Sequence, residues 1–323
     1  MQLKRLTKYG LPLLGLLLFS LCVWAINKQL KHYTIPEIWH SLKTAPINSL
    51  LLALAFTILN YLVLTTYDVL ACGYIRHPLP YPKIALTAFT SAAISNTVGF
   101  ALFTGSAIRC RLYVLWGLTP VEIAQLIAFT NLTFWLGLSV VGGVLFLVEP
   151  LAIPKFFHLP FTSVHPIGII LLALSCAYLL ASLGLKRSLR IGPWSFSIPS
   201  FDIAVIQIVL SSIDWSIAVA ALYVLLPSSA NLAYSTFFSI YLLGQIAGLV
   251  SYIPGGLGVF ETVLLFLLSQ TIPTTQIFIS LILYRVIYYF IPLGIAALLL
   301  GIHEIQQRKS TASPLRPESK VKS

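Results

Sequence analysis

Residues 234–270 read YSTFFSIYLLGQIAGLVSYIPGGLGVFETVLLFLLSQ, apolar on both sides of an interruption at 251–258, with Glu261 as the single charged residue. A helix that crosses a bilayer takes about 20 mainly apolar residues, and this run is long enough to go in and come back. Pro254 removes a helix hydrogen bond, and Gly255, Gly256 and Gly258 lower the cost of non-helical backbone. Irregular backbone at membrane depth is tolerated only where protein buries it or a wet cavity borders it. The stretch therefore predicts a broken, re-entrant helical hairpin inside a helical membrane protein.

The rest of the chain agrees with that class. Further apolar segments cover residues 9–26, 47–72, 84–107, 121–148, 167–185, 201–226 and 276–301. Hydrophobic residues make up 58% of the 323 positions and charged residues 9%, with a mean hydropathy of +0.92. Soluble domains carry roughly a quarter charged residues, because water must be faced. Lipid is then the main solvent, and the predicted fold is all-α and polytopic. Lys4, Arg5 and Lys8 precede the run 9–26 without a convincing cleavage site after it, so this segment reads as an uncleaved first helix. Residues 27–46, with Tyr33 and Trp39, read as an interfacial amphipathic stretch. One transmembrane domain over 1–302 and a disordered cytoplasmic tail over 303–323 complete the expected organisation. The four cysteines are scattered and suggest no disulfide scaffold.

The formal charge of +11 comes from Lys and Arg in short loops and the two tails, which is the positive-inside pattern and speaks against a nucleic-acid partner. If every apolar segment crosses once, the loop and tail Lys and Arg divide eleven inside against eight outside. If 84–107 enters and returns on the inner side, the division becomes fifteen against four. The local sequence agrees, since Ser95, Asn96, Thr97 and Gly99 stand where a lipid-facing helix prefers Leu or Ile. The expected topology is about six full crossings and two re-entrant hairpins entering from opposite faces, with both termini in the cytoplasm. Units 9–148 and 167–301 then share one order of elements, an Asp-bearing helix (Asp68, Asp214) followed by a broken hairpin and a further helix. Inverted repeats with discontinuous helices are a transporter architecture.

Charges within hydrocarbon cost roughly 2.5–3.5 kcal/mol each on insertion scales, so they face a partner or a cavity. Asp214, Glu261 and Arg285 are expected to meet in one bundle core, and Asp68 to pair with Arg109. A structural ion-pair network is the rival reading of Asp214, Glu261 and Arg285, and positive-inside anchoring that of Arg109. Arg111 reads as positive-inside anchoring, and Asn131 and Gln245 as interhelical hydrogen bonders. Thr119-Pro120-Val121-Glu122 is a capping box, and Asp202 suits the first turn of a helix. No metal-ligand spacing, Walker loop or nucleophile elbow occurs, so neither a cofactor nor an enzymatic activity is expected.

Residues 253–261, Ile-Pro-Gly-Gly-Leu-Gly-Val-Phe-Glu, resemble the signature of the lysylphosphatidylglycerol synthase transmembrane-region family, which includes the flippase half of multiple peptide resistance factors. Ser95–Phe100 through Gly105, Arg109–Tyr113, and Tyr284-Arg285 followed by Pro292 extend the likeness over about residues 10–301. The resemblance implies lipid translocation across the bacterial inner membrane, with Asp68, Arg109, Asp214, Glu261 and Arg285 at the matching charged positions. The expected partners are membrane lipids with anionic or lipid-linked headgroups, with an enzyme of envelope-lipid synthesis as a further candidate. No aminoacyl-transfer domain follows in this sequence, so lysylphosphatidylglycerol synthesis is not expected of it. An accessory role to an envelope-lipid or glycolipid enzyme, and ion-coupled transport of a small solute, are the alternatives.

Overall fold

A computed structural model describes residues 45–98, 101–149, 163–184, 188–191, 194–227, 231–250 and 258–312, with 36, 43 and 151 besides. In chain order the helices are α1 (Ile47–Tyr74), α2 (Tyr81–Val98), α3 (Ala101–Leu115), α4 (Pro120–Val148) and α5 (His165–Gly184). They continue with α6 (Phe201–Tyr223), α7 (Tyr234–Val250), α8 (Val259–Leu268), α9 (Thr274–Tyr284) and α10 (Ile291–Ala312). A single π-helical turn, Arg285–Phe290, joins α9 to α10.

Among the described residues, five helices are long and apolar enough to cross a membrane: α1, α4, α5, α6 and the run Thr274–Gln307. The protein is a polytopic α-helical membrane protein. The sixth expected crossing, 9–26, and most of the interfacial stretch 27–46 lie outside the described residues. At 1.5 Å per residue, α3 spans about 22 Å and α8 about 15 Å, short of a hydrocarbon layer of about 30 Å. Each folds back on its neighbour instead. In the first hairpin the Ser91 hydroxyl donates to the Gly105 carbonyl at 2.9 Å, and a Cβ on Gly105 would run into Ser95. In the second, a Cβ on Gly244 would stand 2.6 Å from Leu264 and 3.1 Å from Phe260. The breaks themselves, Gly99, Pro254, Gly255 and Gly256, lie outside the described residues, whereas Asn96 is helical near the end of α2.

Lipid-facing surface is plain on α5, where Gly168 and Ser175 are the buried residues and Ile169, Ile170, Leu174, Leu180 and Leu183 are exposed. No water-facing helix carries such a surface. Interior contacts rely on small residues, as expected where lipid tails remove the hydrophobic drive between helices. A Cβ on Gly137 of α4 would lie 2.7 Å from backbone atoms of Ser211 on α6, so these helices touch backbone to backbone. Around this crossing α1 packs on α6, the first hairpin rests on α1 and α10, and the second touches α4, α6 and α9.

Local signals explain several ends. Thr119 and Glu122 form the expected capping box on α4, with Pro120 in its first turn. Gly117, at φ +93°, turns the chain after α3 while Leu118 N–H bonds back to the Tyr113 carbonyl at 3.1 Å.

Two features differ from the sequence reading. Residues 188–191 and 194–197 form a short antiparallel hairpin, with Leu189 opposite Phe196, inside what reads as a plain basic loop. Helix α10 continues past residue 303, where the polar tail is expected to begin, as far as Ala312. Glu304, Gln306 and Gln307 are good helix formers on an established helix, and Arg111 pairs with Glu304 across to α3. Arg111 is therefore a tie between the first hairpin and the last helix as well as a basic loop residue. Residues 313–323 lie outside the described set.

Candidate functional site: three buried acids and two arginines

Asp68 is fully buried on α1. Arg109 reaches it from α3 with Nε to Oδ1 at 2.9 Å and Nη2 to Oδ2 at 2.8 Å. Tyr113, one turn beyond Arg109 on the same face, donates its hydroxyl to Oδ1 at 2.8 Å. This bidentate pair joins the first hairpin to a long helix, as its positions in the sequence suggest.

Glu261 and Arg285 form the second pair. Glu261 lies in the first turn of α8, and its Oε2 accepts the backbone N–H of Gly258 at 2.8 Å. Its Oε1 accepts Nε of Arg285 at 2.7 Å. Gly258 holds φ +82°, a conformation that explains a glycine at the start of this helix. The guanidinium lies 4.5 Å from the ring centre of Tyr289 and 5.7 Å from that of Phe260. Arg285 is 1% exposed, the largest fully buried side chain in the described protein. It opens the π-helical turn, in which Ile291 N–H bonds five residues back to Val286. Single π-helical turns within α-helices recur at functional sites.

Asp214 behaves differently. The expected meeting of Asp214 with Glu261 and Arg285 is replaced by a contact between α6 and α1. Asn60 Nδ2 donates to Asp214 Oδ1 at 2.8 Å and to its carbonyl at 2.8 Å. Tyr67 donates to Oδ2 at 2.9 Å. Asn60 and Tyr67 are seven apart on one face of α1, so both point at the same neighbour. Tyr288 donates to Asn60 Oδ1 at 2.7 Å and stacks on Tyr284. Its carbonyl, within the π turn, accepts from Tyr61 at 3.3 Å. The tyrosine cluster thus places the Asp214 network beside the Arg285 pair without an ion pair between them.

Gln245 donates to Tyr241, which bonds to Tyr284 at 2.8 Å. Asn131 turns back to its own helix, at the Ile127 carbonyl. Glu122 also bonds His77, at 3.1 Å. These residues are accounted for by local or interhelical bonding. Asn60, Tyr67 and Tyr113 are the contributors that inspection of charges overlooks. The signal available for the first two was their spacing of seven on an otherwise apolar helix.

The family model for the lysylphosphatidylglycerol synthase TM region matches residues 13–296. The chain belongs to that family. The match includes both hairpins and all five charged positions. The chain is 46% identical over 306 residues to the uncharacterized protein slr0712 of Synechocystis, covering 95% of each. It is 30% identical to the inner membrane protein YbhN of Escherichia coli, over 85% of this chain and 86% of that one. Phosphatidylglycerol lysyltransferase of Staphylococcus haemolyticus is 27% identical over 74% of this chain but only 27% of its own length. The likeness to the lysyltransferase is thus confined to a part of that larger protein.

Proposed function

We propose that the protein is a lipid flippase-like transporter of the bacterial inner membrane rather than an enzyme. The observation that carries this reading is the pair of arginines, Arg285 buried and Arg109 partly buried, each on or against a helical hairpin and each held by one buried carboxylate. The Arg109 guanidinium donates to both oxygens of its carboxylate, a fork that fits a phosphate by the same geometry, while Arg285 directs its donors to one oxygen of Glu261. A phospholipid or lipid-linked headgroup entering between the hairpins would exchange with Asp68 at Arg109, or with Glu261 at Arg285. Its tail would stay in lipid. A groove of about 370 Å³ between α4 and α7, lined by Val140, Val141, Val144, Leu145, Tyr234, Ser235 and Phe238, offers a mainly apolar surface suited to a chain. In this reading both termini lie in the cytoplasm, which the loop charges support, and the two units are inverted relative to one another. An enzyme of envelope-lipid synthesis is the partner this role would serve.

The complete enclosure of Arg285 favours a second reading, in which the charges only hold the helices of an accessory protein together. Reconstitution into liposomes with labelled lipids of several headgroup classes tests the proposal. Faster exchange than in empty vesicles for an anionic or lipid-linked headgroup, lost in Arg109 and Arg285 variants, is the expected result. No acceleration of any lipid, with or without a proton gradient, would remove the transport reading.

A further inference from the structure

Two of the three buried acids carry an arginine each; the third does not. Asp68 has Arg109 and Glu261 has Arg285, while among the described residues no Lys, Arg or His forms an ion pair with Asp214. Asp214 is nonetheless 4% exposed, at the contact between the two Asp-bearing helices. The groups facing it are an amide and phenols: Asn60, Tyr61 and Tyr67 from α1, and Tyr288 from the π turn. Helices α4, α5 and α7, also packed against α6, present Thr133, Tyr178 and Tyr234 to it, and α9 sets Ser280 against Leu225 just past its end, none of them charged at neutral pH.

We infer that Asp214 is a proton-binding site that couples lipid movement to a proton gradient; the coupling rests on the transport reading above. A metal cation is a poor occupant, because both carboxylate oxygens already face donors, Asn60 N–H on Oδ1 and Tyr67 O–H on Oδ2. A proton needs no such displacement. It attaches to Oδ2 and is donated to the Tyr67 oxygen once that hydroxyl turns its own hydrogen away. Asn60 keeps its bond to Oδ1 throughout, so uptake requires one hydroxyl rotation. Loss of the proton leaves a bare carboxylate between α1 and α6, held by two neutral donors. The two protonation states therefore differ in how firmly these helices are joined. A charged pair such as Asp68–Arg109 lacks that freedom, since protonation there would orphan an arginine.

Two measurements on the full-length protein test this. In nanodiscs, infrared difference spectra across a pH titration should show a protonated-carboxyl band that disappears in Asp214→Asn. In proteoliposomes with fluorescent phosphatidylglycerol, an imposed pH difference of one unit should bias the distribution between leaflets by up to about tenfold for one proton per lipid. In Asp214→Asn the ratio of rates with and without the gradient should fall to one, whatever the basal rate. Tyr67→Phe, which retains the acid but removes the acceptor of its proton, should shift the infrared titration. A wild-type protein that moves lipid with no response to pH, or with a response to sodium alone, overturns the coupling. A titrating band that persists in Asp214→Asn, or is absent from the wild type, overturns the site. A wild-type protein that moves no lipid but keeps the band sinks the transport reading and the coupling built on it, and supports the proton site.

Discussion

Arg109 holds Asp68 through two parallel hydrogen bonds, at 2.9 and 2.8 Å, and so ties the short second helix of the first hairpin to a full crossing. Breaking one half of such a pair is far costlier than replacing both, because the survivor keeps its desolvation penalty.

Arg109→Gln should therefore destabilise the protein by about 3–5 kcal/mol, leaving a buried carboxylate with Tyr113 as its remaining side-chain donor. The double variant Asp68→Asn/Arg109→Gln should recover most of that loss. Thermal unfolding in detergent measures both. If the double variant folds well yet moves no lipid, the arginine acts on the headgroup; full transport by the double variant would assign it to assembly.

The crossing of α4 on α6 depends on Gly137. An alanine there places Cβ 2.7 Å from Ser211 backbone atoms, which cannot rotate aside. Gly137→Ala should cost about 1–3 kcal/mol. Gly105→Ala meets serine hydroxyls instead, and these can turn away, so it should cost less. Comparing the two unfolding midpoints checks the ranking.

Thr119→Ala removes the side-chain oxygen that accepts Glu122 N–H at the start of α4. The loss should be about 1 kcal/mol, with transport unchanged, since this cap lies apart from the buried acids. An effect on lipid movement as large as that of an Arg109 variant would contradict the structural assignment of Glu122.

Some of this arrangement is legible in the sequence, for identifiable reasons. Charges are so rare in the apolar segments that Asp68, Asp214, Glu261 and Arg285 stand out unaided, and Arg109 follows directly on one of those segments. The Asp68–Arg109 pair follows from position alone, because both lie near the same end of adjacent elements. The partner of Asp214 does not follow. Asn60 is 154 residues away and looks like any polar residue in a helix, and only the packing of α1 on α6 brings them together. The π turn at Arg285 is equally silent, since such turns lack a propensity signal and arise from tertiary packing. The overrun of α10 is a matter of energetics at a boundary. A polar sequence that would not start a helix can extend one that lipid-buried residues have already nucleated.

The last prediction concerns the Glu261–Arg285 pair, where size, charge and ring contact can be separated. Arg285→Lys keeps the charge but loses the planar fork and its stacking 4.5 Å from Tyr289. Glu261→Gln keeps an oxygen for the Gly258 N–H and loses the charge opposite Arg285. If the pair only locks helices, both changes should lower thermal stability and leave the transport rate of the folded fraction intact. If Arg285 engages phosphate, Arg285→Lys should depress the rate by at least about tenfold, roughly 1.4 kcal/mol, beyond any loss of folded protein. Glu261→Gln should then act oppositely on binding, because a headgroup phosphate no longer competes with a carboxylate for the guanidinium. Tighter retention of an anionic lipid by Glu261→Gln, measured by native mass spectrometry of the protein–lipid complex, is the expected outcome. Equal retention by the wild type and this variant would show that the headgroup never meets Arg285.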